Sequence, residues 1–231
     1  MVLPQARLAE VKDCARAVLL AAAALAGAPL WAAGGHHAVD DAIILGPGEC
    51  EIESWITRSD RGNQALRLGG QCGVAGLEIG IAAEPVREAG RTNTFYGAQL
   101  KLAREFAPGW HAGLSVSPVG QTREPPRYAG TGVSALLTWM PMEALAFHLN
   151  AGRDLLHGQA DQARHGAALD WTPVRAWSFT VERYLLDATH FVRAGARWFA
   201  SEQWAFDLSR AQQLHGERAS NWTLGLTVSL R

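Results

Sequence analysis

From Glu49 to the C-terminus, apolar and polar side chains alternate almost without a break. A period of two marks strands whose two faces meet different surroundings. Twelve runs carry it, at 49–58, 64–73, 76–83, 93–104, 109–118, 128–140, 143–152, 163–171, 175–184, 189–199, 203–210 and 221–230. Each is long enough to cross a bilayer at a tilt. The last stretch, WTLGLTVSLR, sets Trp222, Leu224, Leu226, Val228 and Leu230 against Thr223, Gly225, Thr227 and Ser229. At the edge of a soluble sheet such a face invites aggregation. The pattern is safe if the final strand pairs with the first and lipid covers the apolar side.

The connections between runs point the same way. Those after even-numbered runs are short: GV, EFAPG near 105–109, PM at 141–142, TPV at 172–174 and SE at 201–202. Several after odd-numbered runs are longer and more polar: EPVREAGRT at 84–92, VGQTREPPR at 119–127, RDLLHGQADQ at 153–162 and AQQLHGERAS at 211–220. Long loops kept to one end, with short turns at the other, are the habit of outer-membrane barrels. The expected fold is all-β: a closed, antiparallel, up-and-down transmembrane barrel of twelve strands.

Six tryptophans sharpen this. Trp110, Trp177 and Trp204 begin odd-numbered runs, and Trp139, Trp171 and Trp198 end even-numbered ones, all on the apolar face. An up-and-down barrel gathers all six at the short-turn rim, as an aromatic girdle at the lipid boundary. A soluble core has no cause to collect them at one end.

The opposite face is expected to line the lumen. It carries Glu51, Glu53, Arg67, Gln71, Glu78, Lys101, His111, His148, Arg164, Asp170, Glu182, Arg193, Arg197 and Asp207. Neither sign dominates, and the chain of 231 residues has a net charge of −1. No basic footprint for nucleic acid is present.

Residues 1–34 read as a secretory signal. Arg7, Lys12 and Arg16 precede an apolar run from Ala17 to Ala33, followed by small residues. The domain plan is then a signal at 1–34, a periplasmic or plug segment at 35–48, and the barrel at 49–231. The expected location is the bacterial outer membrane. The expected partners are the lipid bilayer, the outer-membrane insertion machinery and a small solute. The spacing of Thr223, Gly225, Val228 and Leu230 is similar to the C-terminal insertion signal of membrane barrels, although this chain continues to Arg231 instead of ending on an aromatic residue.

If the first two runs form a hairpin around SDRGN at 59–63, partners sum to 122, and Cys50 faces Cys72. Opposed Cβ atoms in a non-hydrogen-bonded pair approach disulfide distance, and the periplasm is oxidising. A disulfide stapling the first hairpin is expected.

Ahead of the barrel, His36, His37, Asp40 and Asp41 form a candidate metal set. Cleavage after Ala33 or Gly34 would place a histidine third from a free amino terminus, a ligand set suited to square-planar Cu(II) or Ni(II). No other cofactor pattern is present, and no G-x-S-x-G elbow or phosphate-binding glycine loop occurs. Ser115 and His111 fall on the inward face, away from any lipid substrate. The chain is not expected to be an enzyme.

The stretch Asp40-Asp41-Ala42, Leu45-Gly46-Pro47-Gly48 and Glu51-Ile52-Glu53 resembles the opening of the MetA-pathway of phenol degradation family. The resemblance implies an outer-membrane barrel that passes small hydrophobic or aromatic compounds. The expected function is a passive channel or transporter for small molecules. The rival readings are a non-transporting structural or metal-binding protein and, third, an envelope lipid hydrolase.

Overall fold

The computed structural model describes residues 36–231 apart from positions 124, 126, 187, 217 and 231. The expected signal at 1–34 lies outside the described residues. Twelve strands follow in order: β1 (Cys50–Ser59), β2 (Gln64–Val74), β3 (Leu77–Glu88), β4 (Arg91–Ala107), β5 (Trp110–Gln121), β6 (Tyr128–Met142), β7 (Leu145–Leu156), β8 (Gln162–Val174), β9 (Trp177–Leu186), β10 (Thr189–Phe199), β11 (Trp204–Gln213) and β12 (Ser220–Leu230). Each pairs antiparallel with its neighbours in sequence, and β1 pairs with β12, which closes the barrel.

The register follows the alternation. In the first hairpin Cys50 stands opposite Cys72, and Glu51 opposite Gln71. The final strand meets the first with Ile52 opposite Val228 and Ile56 opposite Leu224. One-residue slips would turn every side chain to the wrong side, so the two-faced pattern fixes these pairings.

Several strand ends differ from the sequence reading. EPVREAGRT is not a long loop: β3 runs to Glu88, β4 starts at Arg91, and Pro85 stands opposite Thr94 within the pair. Ala89 and Gly90 both take positive φ, 46° and 77°, which is the backbone of a two-residue hairpin turn. The strands here project past the band that needs an apolar face, so charged residues do not end them. β7 and β11 also run further than the alternation indicates, to Leu156 and Gln213, so Arg153 lies on a strand.

The outer surface is apolar. Leu68 and Ile81 are 59% and 69% exposed, and many other Leu, Ile, Val and Phe side chains are similarly bare. A belt of this extent marks contact with hydrocarbon. The tryptophan rim is present. Trp110 stacks on Trp139 at 5.3 Å and Trp177 on Trp198 at 6.4 Å, with Phe147 and Phe206 continuing the row.

Candidate functional site

Inside the cylinder the wall is polar, and the N-terminal segment crosses it. Gly48 donates to the Gly73 carbonyl at 2.9 Å, and the Gly73 N–H donates to Glu49 O at 2.9 Å, at the short-turn rim. From there the chain turns inward. A β-carbon at position 73 would stand 2.2 Å from both the Gly46 and Leu45 carbonyl oxygens. Only glycine lets the segment pass this point on the wall.

The segment then contacts strand after strand. Leu45 N–H donates to Glu78 Oε2 on β3 (3.1 Å). Ala42 N–H donates to Thr138 Oγ1 on β6 (2.8 Å). Asp40 exchanges two bonds with Asn150 on β7: its N–H donates to Oδ1 (2.7 Å), and its carbonyl accepts from Nδ2 (2.9 Å). The N–H groups of Ala38 and Val39 converge on the Glu182 carboxylate of β9. His36 Nε2 lies 2.5 Å from Ser209 Oγ on β11, and Arg193 on β10 donates to the His36 carbonyl. Backbone donors that would be orphaned in a buried passage are thus satisfied by the wall.

Two small apolar contacts complete the fit. Val39 packs on Ala168 and Tyr184, and Ala42 on Ala103 and Leu136, with Val39 and Ala42 fully buried. Gly166 makes room for Val39.

Charge organises the rest. Lys101 Nζ reaches Asp40 Oδ1 at 2.9 Å and Asp41 Oδ1 at 3.0 Å, and stands opposite Glu78 in register. Arg193 pairs with Glu182 at 2.9 Å and its guanidinium lies over Tyr184. Arg197 grips Asp207 through two bonds, at 2.7 and 3.1 Å. His148 sits between Thr138 Oγ1 (2.8 Å) and Asp170 (3.4 Å). Arg67 faces Glu84 at 3.5 Å and lies over the Trp55 ring, and Arg164 pairs with Asp154 at 3.1 Å. Glu51 accepts from Ser229 Oγ at 3.1 Å.

The positions expected to line the lumen fall in three groups, with His111 apart from them. Lys101 and Glu78 hold the segment on one side. Glu182, Arg193, Arg197 and Asp207 hold it on the other, with His148 and Asp170 beneath. Glu51, Glu53, Arg67, Gln71 and Arg164 line the open part. His111 lies near the short-turn end opposite Thr138.

The expected metal set is not assembled as a foursome. Asp40 and Asp41 are turned to Lys101, whereas His36 and His37 stack at 4.6 Å, and Asp207 brings a carboxylate oxygen within 4.8 Å of their ring nitrogens. His36 Nδ1 is buried without a hydrogen-bond partner, and His37 Nδ1 lies 3.7 Å from Glu182 Oε1. The disulfide is as expected, joining Cys50 to Cys72 on the outer face beside the point where the segment enters.

The lumen keeps two adjoining spaces. One of about 270 Å³ lies beside the segment, bounded by Asp40, Asp41, Lys101, Glu78 and Asn150. The other, about 460 Å³, opens toward the long loops and adds an apolar wall of Phe95, Val119 and Leu156. Arg67, Glu53, Gln71, Gln99 and Arg164 line both. The residues that sequence reasoning did not single out are Trp55, Tyr184, Ser209 and the two seat glycines, 73 and 166. The available signal was glycine at inward positions of otherwise regular strands.

Among solved structures the chain is similar to the KdgM porin, with 8% identity, a TM-score of 0.65, and coverage of 78% of this chain and 99% of that one. It is similar to the NanC porin, with 9% identity, a TM-score of 0.59, and coverage of 78% and 100%. Outer membrane phospholipase A from Escherichia coli gives 9% identity, a TM-score of 0.54, and coverage of 80% and 98%. At such identity the likeness is one of fold, and that fold is the bacterial outer-membrane β-barrel. No curated relative matches the chain. These likenesses agree with the barrel implied by the MetA-pathway resemblance, and membership of that family is not among them. Residues 20–230 match the family described as Uncharacterised conserved protein UCP029691, and the chain belongs to that family.

Proposed function

We propose that this barrel is a conduit for small solutes across the outer membrane, closed by its own residues 36–48. The observation that carries the reading is the joined pair of spaces, which opens at the long-loop end and stops at the strap held by Lys101 and Glu182. The likeness to porins supports it at the level of fold.

The solute class follows from the lining. Arg67, Arg164 and Lys101 each already have a carboxylate partner, and carboxylates outnumber them along the path, so it offers an anion no free cation. Phe95, Val119 and Leu156 add apolar wall. Small, neutral, partly apolar molecules suit such a surface better than anions, and the MetA-pathway resemblance points to hydrophobic or aromatic ones. The test is planar-bilayer conductance and liposome uptake of the intact barrel and of one lacking residues 36–44. The intact form should conduct little and the shortened form freely. If neither passes current nor solute, the conduit reading is lost.

Metal capture is a second reading, favoured by the two histidine rings stacked beside Asp207. It is opposed by Arg193 and Arg197, which crowd the same corner and occupy its carboxylates. A lipid hydrolase gains no support from the face that carries Ser115 and His111: both point into the lumen.

A further inference from the structure

The outer wall is not uniformly convex. Across β6 to β8, Ala135, Ala151 and Ala167 leave a groove of about 510 Å³ bordered by Leu137 and Leu149. That volume falls in the range of small-ligand sites. Its lining is almost wholly apolar, and it opens on the lipid side of the wall. Arg183 closes one end of it, standing opposite Ala167 in register. Arg153 stands two residues beyond Ala151 on the same face of β7, and His165 is opposite Ala151.

These cations have no obvious business there. Arg183 lies six residues above Trp177 of the rim, ~20 Å along the strand or ~14 Å along the membrane normal at a 45° tilt. That is inside the upper part of an apolar band ~25 Å tall. A guanidinium facing hydrocarbon is costly unless an anion meets it or its head reaches the headgroup layer. Among the described residues, the outward positions of β6 to β9 carry no carboxylate, and neither Arg153 nor Arg183 has an ion-pair partner. The compensating anion must come from outside the chain, and from the leaflet at the long-loop end.

We propose that this groove binds a phosphorylated, acylated lipid of the outer leaflet, with one acyl chain along the alanines and its phosphate on Arg153 and Arg183. The site is independent of the conduit, because it lies on the other face of the wall. Each partner is suited to its place: the small side chains make depth for a chain, and an arginine on each of two sides, Arg183 on β9 and Arg153 above Ala151 on β7, suits phosphate oxygens.

The test is native mass spectrometry of the refolded barrel in neutral detergent, with diphosphoryl lipid A as the probe. One lipid should stay bound to the parent protein. The double variant Arg153→Gln/Arg183→Gln should lose it by about tenfold. Ala151→Trp, which fills the groove and spares both arginines, should lose it as well. Arg87→Gln, at the tip of the β3–β4 hairpin, should retain it. Dephosphorylated lipid A should not bind, and excess inorganic phosphate should not displace the lipid. Folding of every variant is checked by heat-modifiable gel migration. Retention by the double arginine variant overturns the proposal, as does equal binding of the dephosphorylated lipid.

Discussion

The α-carbon of Gly166 faces Val39 so closely that a β-carbon there would stand 2.6 Å from Val39 Cγ2. Glycine in a strand normally weakens it, so the gain lies in what the gap admits. Here it admits the strap. Tyr184 Cβ and the Arg183 carbonyl, at 3.0 and 3.1 Å from the same point, leave the added carbon no other way to go. Gly166→Ala should therefore unseat Val39 and raise conductance several-fold, while the barrel still folds. Adding Val39→Gly should restore the closed state. A Gly166→Ala barrel as closed as the parent would show that the strap does not depend on this seat.

Lys101 holds the middle of the strap. Its ammonium answers Asp40 and Asp41, and Glu78 stands beside it. Removing one partner of a buried ion pair costs about 3–5 kcal/mol, because the charge left behind has lost its solvent. Asp41 is buried, but the Asp40 side chain is 34% exposed, which moves the expected cost to the low end. Lys101→Met should leave the carboxylates to repel one another and drive the strap out. Limited proteolysis reads this directly: cleavage within residues 36–48 should speed up at least tenfold, with the barrel itself intact. Unchanged resistance would mean that the Asn150 and Glu182 bonds suffice alone.

The barrel was legible in the chain, and a plug at 35–48 was anticipated, but the strap's path and partners were not legible, for a physical reason. Alternation constrains each strand separately, and loop length tells neighbours apart, so the closure of β12 on β1 and the Cys50–Cys72 pairing follow from local pattern. The strap has no period. Its partners, from Glu78 to Ser209, are spread over more than half the chain, and many of the contacts join the strap's backbone to a wall side chain. Asp40 and Asp41 resembled metal ligands because the lysine that takes them is sixty residues away. EPVREAGRT resembled a loop because charge usually marks one; the Ala89–Gly90 turn lets the hairpin stand clear of the lipid band.

The disulfide acts where the strap enters. Cys72 precedes Gly73, which bonds Gly48 and Glu49, so the staple fixes the gate of the segment as well as the first hairpin. With a sequence separation of 22 residues, closing such a loop restricts the unfolded chain by about 3 kcal/mol in the chain-entropy account. Cys50→Ser/Cys72→Ser should lower the thermal midpoint of the barrel by several degrees. It should also raise protease sensitivity at residues 46–49 before the barrel melts. Non-reducing gel mobility confirms the bond in the parent. A double serine variant with the parent's midpoint would reduce the staple to an ornament of the fold.

Copper or nickel titration separates the conduit from the metal reading. While the strap is seated, Asp207 gives both oxygens to Arg197, and Arg193 lies against the His36 carbonyl, so a dication would meet two guanidinium groups at once. Once the strap is free, His36 and His37 leave that field, and their imidazoles become ordinary ligands for Cu(II) or Ni(II). Calorimetric titration should then show weak binding to the parent and at least tenfold tighter binding to Lys101→Met. Adding His36→Ala and His37→Ala should abolish the gain. Equal affinity for parent and released forms would mean that the arginines do not govern the corner. Tight binding to the parent alone would make the seated histidines, with Asp207, a true metal centre and the strap its carrier.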